Sequence, residues 1–588
     1  MSIRTNPFKA VPLLLRRLTT IEKHANLDDL KEVLMNIKDL FWIVKKNEEE
    51  LLDTLTEVDD YVRNFNTRKL MEEKEEICKR IRNSTQKLLP AHGSSGKTFQ
   101  VGEPERKEIV HQSEPSLKLP QELEMRMDVY LPSVQQIVFF NFLSALPQNS
   151  VLKKRQLIYW WFGSRSLNYE MHALTHGALD LERRVNQERK AAEDMFSFLL
   201  VKRLIVPHGN GKCPLVNKYK ISPLLRDVRE PSSDEDQVFR FYSQIKPSSH
   251  DTRNRCLALD QQKVKLSDEL GFKFKRWTVI FNVSASYLDI GPQWMTGMKN
   301  LEMLHLGRCH DSASHHIEVE SEEFLMELRD QKYLSYLSLR GISRISKLPP
   351  SILQLESLEI LDLKACHNLE TLPNDISSLR KLRHLDVSQC YLLERMPKGI
   401  ENLTKLESLK GFLIGNPSKT PCRISDFANL SNLERLSIQI GSEAVIQDKE
   451  FESLKNLSKL TRLKISWGGS GTRYSDMRIF FPSSLFKLHL EGFSGEEIPE
   501  WLKPSMLPKG LKVLYITGGK LRSLAHGDNN NLWSVEIVRL KYLNHLKVDG
   551  FTDSEVLSDL QRFFPFLKYV EVKKIADHLD FEWIKVIN

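Results

Sequence analysis

The chain has 588 residues, of which 41% are hydrophobic and 28% are charged, and its formal net charge is +8. This length allows three or four domains, and the composition is that of a folded protein rather than a disordered one. So small a net charge does not by itself indicate a nucleic-acid partner. The seven cysteines contain no Cys-x-x-Cys pair, and no apolar run approaches the roughly 18–20 residues of a membrane helix. We therefore expect a cytoplasmic protein with no integral membrane segment, no disulfide framework and no metal site.

Residues 1–90 are predicted to form a helical, coiled-coil-like domain. Apolar residues recur every three or four positions through the runs 27–44, 51–65 and 70–88. This spacing is typical of amphipathic helices that pack as a small bundle. The second run also carries an acidic stretch that includes Glu57, Asp59 and Asp60.

Residues 91–129 are rich in Gly, Ser, Pro, Glu and Lys and are predicted to be a linker. Within them, the segment 93–98 reads Gly-Ser-Ser-Gly-Lys-Thr, which resembles a phosphate-binding loop. The first glycine of that motif falls on Ala91, and no strand precedes the segment and no helix follows it. We therefore expect no nucleotide site here, and we assign no cofactor to the chain.

Residues 130–229 are rich in apolar and aromatic side chains. The segments 138–143, 152–161 and 192–200 predict helices, and Gly-Asn-Gly at 209–211 indicates a hairpin. Three helices followed by a hairpin predict a winged-helix domain. A second linker is predicted at 230–252.

Residues 253–588 carry the strongest pattern in the sequence, the repeated spelling Leu-x-x-Leu-x-Leu. Successive units start 24 residues apart between 334 and 406 and then 27 apart to 460, and this period is the signature of leucine-rich repeats. The middle position of each unit is occupied by Leu304, Leu337, Leu361, Leu385, Leu409, Leu436, Leu463, Leu488, Leu514, Leu546 and Val570. Because side chains alternate along a strand, these residues should point into a shared core. We expect Leu361 and Leu385 to be fully buried.

We call the apolar positions of these units the leucine ladder. Cys309, Cys366 and Cys390 each lie three residues after the last ladder position of a repeat. At that place in the repeat, Asn or Cys bonds backbone groups of the turn. We therefore predict a structural role for these three cysteines. The overall prediction is a multidomain α + α/β chain with an N-terminal helical bundle, a winged-helix domain and a C-terminal leucine-rich-repeat solenoid.

Several segments resemble plant coiled-coil-type NLR disease-resistance proteins, which are intracellular immune receptors. The quoted segments are Tyr-Leu-Pro at 130–132, Phe-Leu-Ser-Ala-Leu-Pro at 142–147, Leu-Ile-Tyr-Trp-Trp at 157–161, Ala-Glu-Asp at 192–194, Lys-Arg-Leu-Ile at 202–205 and Glu-Val-Asp-Asp-Tyr-Val at 57–62. The resemblance implies the same domain order that the pattern predicts. It also implies that Glu57, Asp59 and Asp60 dock on the repeat domain.

The chain departs from this family in the nucleotide-binding core, because only the 91–129 linker stands between the helical domain and the predicted winged helix. The family's Met-His-Asp triplet falls on Ile-Ser-Pro at 221–223, so that Ser222 and Pro223 replace its polar contacts. We therefore expect a truncated relative without a nucleotide switch. Its implied partners are full-length NLR relatives, signalling proteins or pathogen effectors.

Two other functions remain open at this stage. The Leu-Pro-x-x-Ile return segments also resemble Ras-type leucine-rich-repeat scaffolds. A winged helix could bind nucleic acid, but its predicted recognition helix carries Glu193, Asp194 and Phe196, which suit packing better than a phosphate-lined groove. We assign no catalytic residues and do not expect an enzyme.

The residues that flank each middle leucine should face the inner side of the solenoid and form the partner-binding surface. The predicted surface comprises Arg435, Arg462, Lys464, Lys487, His489 and Tyr515. Arginine and tyrosine often anchor protein interfaces. The excess of cations predicts a partner with an acidic patch, although charges that only keep the sheet soluble would give the same pattern.

Overall fold

The structure is a computed structural model. It describes residues 11, 14–15, 18, 27–37, 51, 54–55, 57–58, 61–62, 67–88, 134–147, 150–164, 181–209, 215–227, 239–241, 256–266, 277–291, 294–295, 298–309, 317–415, 421–441, 444–447, 449–468, 477–526, 532–547, 553–575 and 579–586. The predicted linker at 91–129 lies outside these residues.

Two helices are described in the N-terminal segment, α1 (Asp28–Ile37) and α2 (Thr67–Leu88). Both are amphipathic, and their apolar stripes meet in one cluster that includes Leu30, Leu34 and Ile77. A hydrogen-bonded ion pair of 2.9 Å between Lys74 Nζ and Asp29 Oδ2 joins the two helices. The larger helical bundle stays a prediction.

Residues 134–227, which we call the small domain, combine helices with a three-stranded antiparallel sheet. The elements in chain order are α3 (Val134–Ala145), β1 (Val151–Lys153), α4 (Lys154–Gly163), α5 (Leu181–Val201), β2 (Ile205–Pro207), β3 (Lys218–Ile221) and α6 (Leu224–Asp227). Strand β3 is central, pairing Tyr219 with Leu152 and Lys220 with Val206. The order of helices and hairpin is the predicted one, and the name winged helix stays a prediction.

A long sheet of 15 strands is described in the rest of the chain. Its strands are β4 (Phe239–Phe241), β5 (Cys256–Leu259), β7 (Val279–Asn282), β9 (Met303–His305), β11 (Tyr336–Ser338), β12 (Ile360–Asp362), β13 (His384–Asp386), β14 (Ser408–Ile414), β15 (Arg435–Ile440), β16 (Arg462–Trp467), β17 (Lys487–Phe493), β18 (Val513–Gly519), β19 (Ile537–Lys541), β20 (Tyr569–Ile575) and β21 (Leu579–Lys585). Neighbours pair in parallel up to β20, and β21 closes the series antiparallel. A one-way parallel sheet is what stacked repeats produce.

The return segments complete each coil. A second parallel sheet contains β6 (Lys263–Leu266), β8 (Tyr287–Ile290) and β10 (Glu318–Val319). Later repeats return through 3₁₀ turns, for example Pro350–Gln354 and Ile376–Ser378. A single helix within the described part of the repeats, α7 (Asp553–Phe563), replaces such a turn near the C-terminal end.

The ladder positions are buried as predicted. Leu361 pairs with Leu385 and Leu385 with Leu409, and Leu361 and Leu385 are each 1% exposed. The three cysteines also have the predicted structural role, because each thiol donates to a backbone carbonyl of the preceding repeat. The Sγ–O distances are 3.0 Å for Cys309 to Asn282, 3.0 Å for Cys366 to Leu339 and 3.1 Å for Cys390 to Leu363.

The placement of one ladder unit was wrong. The spelling at 543–548 predicts a strand, but the strand is β19, where Val538 pairs with Leu514 and Leu540 with Ile516. Val535, Val538 and Leu540 have the ladder spacing with valine in place of leucine, while Leu543 and Leu546 are buried in the following turn. Valine suits a strand as well as leucine does, so the leucine spelling alone misplaced the repeat.

The long sheet also begins earlier than the ladder indicates. Strand β4 lies inside the segment predicted as the second linker, and it pairs in parallel with β5. Its sequence, Phe-Arg-Phe, alternates apolar and polar residues, which suits a strand with one buried face.

We predict that Leu385→Asp lowers the free energy of unfolding by at least ~3 kcal/mol, because it removes core packing and buries an unpaired charge. The control is Lys381→Asp, which introduces the same aspartate side chain at an exposed position four residues earlier. Chemical denaturation should show a large loss for the first variant only. An equal midpoint for both variants would contradict the assignment of Leu385 to the core.

Candidate functional site

The long sheet has a second face, opposite the buried ladder, that carries the residues flanking each middle leucine. We call this face the arch. Strand register aligns these residues in two columns from β15 to β20. The first column contains Arg435, Arg462, Lys487, Val513, Ile537 and Tyr569, and the second contains Ser437, Lys464, His489, Tyr515, Arg539 and Glu571.

The early strands of the arch are covered by the small domain. Most of their flanking residues are apolar, and these apolar residues share one core cluster with the small domain. The arch contributes Cys256, Ala258, Val279, Phe281, Met303, Tyr336 and Ile360 to this cluster. All seven are buried, so this part of the sheet has a core on each face.

Aromatic side chains form the centre of this contact. The ring of Phe142 on α3 stacks on Phe281 with centroids 4.8 Å apart, and Trp160 on α4 meets the same ring edge-on at 4.9 Å. Such pairs add about 0.5–1.5 kcal/mol each beyond the area they bury. A buried aromatic cluster therefore holds the small domain to the arch.

Polar contacts extend the junction along α4. The amide of Gln156 donates to the carbonyl of Cys309 at 2.6 Å, and the Tyr159 hydroxyl lies 3.1 Å from Nδ1 of His384. Burial, and then the neighbouring charge of Arg383, hold the pKa of His384 well below its usual value. The imidazole is therefore neutral at pH 7 and serves as a packing and hydrogen-bonding group.

Arg189 on α5 joins the small domain to two repeats. Its guanidinium lies 2.9 Å from Glu407 Oε2 and 2.9 Å from Glu434 Oε1. Glu407 is also held by Arg383 at 2.7 Å, so that a chain of alternating charges crosses the strands. Hydrogen bonds between charged groups are stronger than those between neutral groups. The two bonds of Arg189 therefore fix the register of α5 on the solenoid.

Gly163 allows the end of α4 to approach the arch closely. A β-carbon at this position would lie 2.9 Å from Sδ of Met303 and 3.1 Å from Cβ of Tyr336. The first contact is shorter than real side chains tolerate, so only glycine fits without a shift.

The six predicted partner-binding residues all lie on the arch, beyond the aromatic cluster. Arg462 is exposed on β16, and Arg435 is half-buried beside it on β15. Lys464 forms an ion pair of 2.5 Å with Glu491 on the next strand, so its charge is already matched within the sheet.

The other three predicted residues are packed more tightly than a free surface requires. The ammonium of Lys487 lies 3.6 Å from the ring centroid of Tyr515, and Tyr515 is only 5% exposed. His489 is half-buried, with Nε2 3.2 Å from the Thr517 hydroxyl. Tyr515 and His489 therefore pack within the arch more than they expose atoms on its surface. Their role in partner binding stays a prediction.

A cation–aromatic cluster ends this part of the arch. The guanidinium of Arg539 lies 4.4 Å from the Tyr515 ring and 4.9 Å from the Trp583 ring, and it also pairs with Glu571. Leu215 of the small domain packs against the same cluster. The small domain thus contacts both early and late repeats.

The acidic stretch near the N-terminus is only partly described. Glu57 pairs with Arg80 at 2.8 Å and accepts a hydrogen bond from Tyr61, both within the helical segment. Burial opposes ionisation, but these contacts still hold the pKa of Glu57 below its usual value. Asp59 and Asp60 lie outside the described residues, so docking of this stretch on the solenoid stays a prediction.

Sequence reasoning missed the covered half of the arch. The signal was present, because β5 and β7 read Cys-Leu-Ala-Leu and Val-Ile-Phe-Asn, with no polar alternation over the first three positions. Continuous apolar runs are typical of strands that are buried on both faces. The pairing of Arg189 with two glutamates had no comparable signal, because it joins residues more than 200 positions apart.

The repeated parallel strands with their leucine core define a leucine-rich-repeat solenoid. A family model described as a leucine-rich repeat region matches residues 281–582. The match covers more than half of the sequence, and the chain belongs to the leucine-rich-repeat family.

The chain is also similar to solved structures, at low sequence identity and with TM-scores below 0.5. A leucine-rich-repeat protein of Leptospira interrogans is 20% identical with a TM-score of 0.33, over 54% of this chain and 84% of that one. The ectodomain of the Arabidopsis thaliana receptor kinase GASSHO1/SCHENGEN3 is 16% identical with a TM-score of 0.31, over 55% of this chain and 43% of that one. This chain therefore spans less than half of the plant ectodomain.

The search of curated proteins found no significant match. Among the residues that the structure describes, no helix combines the length and the apolar character needed to cross a membrane.

We predict that Gly163→Val separates the small domain from the arch, because the added side chain would collide with Met303 and Tyr336. Limited proteolysis should cut the variant faster in the small domain, and its scattering envelope should expand. The control is Asp194→Val, which adds the same side chain at an exposed position of α5. Equal protection of the two variants would contradict the close contact of α4.

We predict that the stability of the protein depends on pH through Lys153. Burial, and then the charge of Arg340, lower the pKa of Lys153 to about 8. An unfolded lysine titrates near ~10.4, so between these values the unfolded chain binds the extra proton. Stability should therefore rise with pH across this window, by up to ~1.4 kcal/mol per unit from this group.

Chemical denaturation between pH 7.5 and 9.5 checks this dependence. The variant Lys153→Met removes the titrating group, so its curve should rise less steeply than that of the wild type. Parallel curves for the two proteins would show that Lys153 keeps an ordinary pKa.

Proposed function

We propose that this chain is a plant-defence interaction protein, a truncated NLR that recognises protein partners through its leucine-rich repeats and has no nucleotide switch. The observation that carries the proposal is the division of the arch. The small domain occupies the early strands, while the later strands keep exposed and half-buried cations such as Arg462, Lys464 and Lys487. A large curved sheet with one face open is a surface for binding another protein.

The segments that resemble the NLR family support this reading, because they make the contact between the domains. Phe142, Leu157, Trp160, Ala192 and Leu204 come from the quoted segments, and all five are buried in the cluster that joins the small domain to the arch. A resemblance in surface residues alone would carry less weight.

The position of Ser222 supports the absence of a switch. This residue stands where the family has the histidine that reaches the bound nucleotide. Here it is 7% exposed, and its hydroxyl accepts a hydrogen bond of 3.3 Å from the backbone of Leu224 at the start of α6. The side chain is therefore engaged within its own turn.

A nucleic-acid role is less well supported. Helix α5 would be the recognition helix, but Met195 and Phe196 are buried, and Glu193 pairs with Lys154 at 2.6 Å. A helix that turns its apolar side into a core and carries acidic groups on its surface does not fit a phosphate-lined groove.

The proposed partners are full-length NLR relatives, signalling proteins or pathogen effectors with an acidic patch, met in the plant cytoplasm. The test is co-purification of the tagged chain from plant tissue expressing candidate relatives, followed by affinity measurement with the purified partner. The triple variant Arg462→Ala, Lys464→Ala, Lys487→Ala should bind at least tenfold more weakly, a loss of about 1.4 kcal/mol.

The matched control removes three exposed lysines that lie outside the arch strands, Lys381, Lys398 and Lys405. Affinity for the partner should stay unchanged in this control, and wild-type binding should weaken with added salt. Equal losses in the two triple variants would move the binding site off the arch. A chain that binds no NLR relative or immune component, but does bind unrelated signalling proteins, would favour the general scaffold.

We predict that the purified chain binds neither ADP nor ATP at physiological concentrations, because Ala91, Ser222 and Pro223 replace residues that the family's nucleotide site uses. Isothermal titration calorimetry should show no heat of binding for either nucleotide. Micromolar binding that disappears in Lys97→Ala would contradict the prediction and restore a nucleotide site.

A further inference from the structure

Three arginines converge where the small domain meets the open part of the arch. Arg155 lies on α4, and Arg435 and Arg462 lie side by side at the starts of β15 and β16. Neighbouring strands are about 5 Å apart, so the two arch side chains begin as close neighbours. Burial, and then the charges of Arg155 and Arg462, lower the pKa of Arg435 to about 10. The three positive charges therefore repel one another.

Within the part of the chain that the structure describes, none of these three arginines forms an ion pair with a carboxylate, and Glu434 acts on Arg435 and Arg462 only as a more distant charge. The Nε atoms of Arg155 and Arg435 are buried and have no hydrogen-bond partner. The nearest carboxylate in sequence, that of Glu434, is bound by Arg189 at 2.9 Å. Glu407 on the neighbouring strand is taken by Arg189 and Arg383.

Such an arrangement is costly unless an anion completes it. Like charges that are partly removed from water repel more strongly than charges on an open surface, and buried guanidinium donors without acceptors destabilise the fold. Elsewhere on the arch, cations meet carboxylates within the sheet, as Lys464 meets Glu491. The arginine group departs from that pattern.

We propose that Arg155, Arg435 and Arg462 form a binding site for a multiply charged oxyanion of the phosphate type. Guanidinium groups match the oxygens of phosphate in paired hydrogen bonds, whereas a lysine offers only a point charge. Three guanidiniums that approach from two domains suit the charge and the several oxygens of a tetrahedral anion. A single carboxylate carries one charge and two oxygens and would leave donors unpaired.

The site also couples the anion to the position of the small domain. Arg155 belongs to the small domain, while Arg435 and Arg462 belong to the solenoid. An anion between them replaces repulsion with attraction across the junction, so it binds the docked form better than the separated form. By linkage, the anion must then stabilise docking by the same factor. The inference goes beyond the proposed function and requires no protein partner.

The test uses the full purified chain with sodium pyrophosphate as the probe, against sodium chloride at equal ionic strength. Pyrophosphate should raise the melting temperature and slow proteolysis of the small domain, and chloride should not. Calorimetry should give a dissociation constant at least tenfold larger for Arg155→Gln and Arg462→Gln than for the wild type. The control Arg329→Gln, at an exposed position away from the arch strands, should bind as the wild type does.

A second readout separates binding from a merely structural role. Without pyrophosphate, Arg155→Gln should be at least as stable as the wild type, because it relieves repulsion. The wild type should become the more stable of the two only when the anion is added. If Arg435→Gln fails to fold, the variants at Arg155 on α4 and at the exposed Arg462 still decide the outcome.

Two further arms identify the source and the class of the anion. A phosphoserine peptide that binds more tightly than pyrophosphate, with the same dependence on the arginines, would support the site and assign the phosphate to a modified protein. Tighter binding of pyrophosphate would support a free anion. Stabilisation by citrate equal to that by pyrophosphate would overturn the phosphate assignment, and stabilisation that survives Arg155→Gln and Arg462→Gln would overturn the site.

Discussion

Every strand of a repeat sheet has two faces, and the leucine ladder buries only one of them. The other face must be solvated, paired within the sheet or covered. This chain uses all three solutions along one sheet. The early strands carry Phe281 and Tyr336 and are covered by the small domain, the middle strands carry cations near α4, and the late strands match Arg539 with Glu571 and two aromatic rings. The proposed binding surface begins where the cover by the small domain ends.

The ladder was predictable because its physics is local and periodic. A strand with alternating side chains places Leu361 and Leu385 in the core wherever the solenoid lies, and the cysteine that follows three of the strands donates to a carbonyl of the previous coil. The prediction failed where valine replaces leucine in the repeat motif, as in strand β19. It also could not tell that Phe281 contacts another domain, since that contact depends on tertiary packing.

The sequence predicted where the residues of the candidate site lie, but not which groups neighbour their charges. Alternation alone places Arg435, Arg462 and Lys464 on the arch. The partners that change their chemistry come from elsewhere, because Arg155 approaches from α4 and Glu491 from the next strand. Lysine and arginine that look equivalent in the sequence therefore differ in the structure. Lys464 is paired with the neighbouring carboxylate of Glu491, whereas Arg435 lies among the charges of Arg155 and Arg462, and the nearby carboxylate of Glu434 is already bound by Arg189.

The wide sequence separation of the small-domain contacts has a consequence for folding. Each coil of the solenoid contacts mainly its neighbours, so the repeats can form by local propagation. The hydrogen bond between Tyr159 and His384 instead joins residues 225 positions apart, and that between Arg189 and Glu434 joins residues 245 apart. Closing such loops is slow relative to local pairing. The solenoid should therefore be assembled first, with its apolar strands β5 and β7 exposed until the small domain arrives, and in that interval the early repeats are the segment of the chain most prone to aggregation.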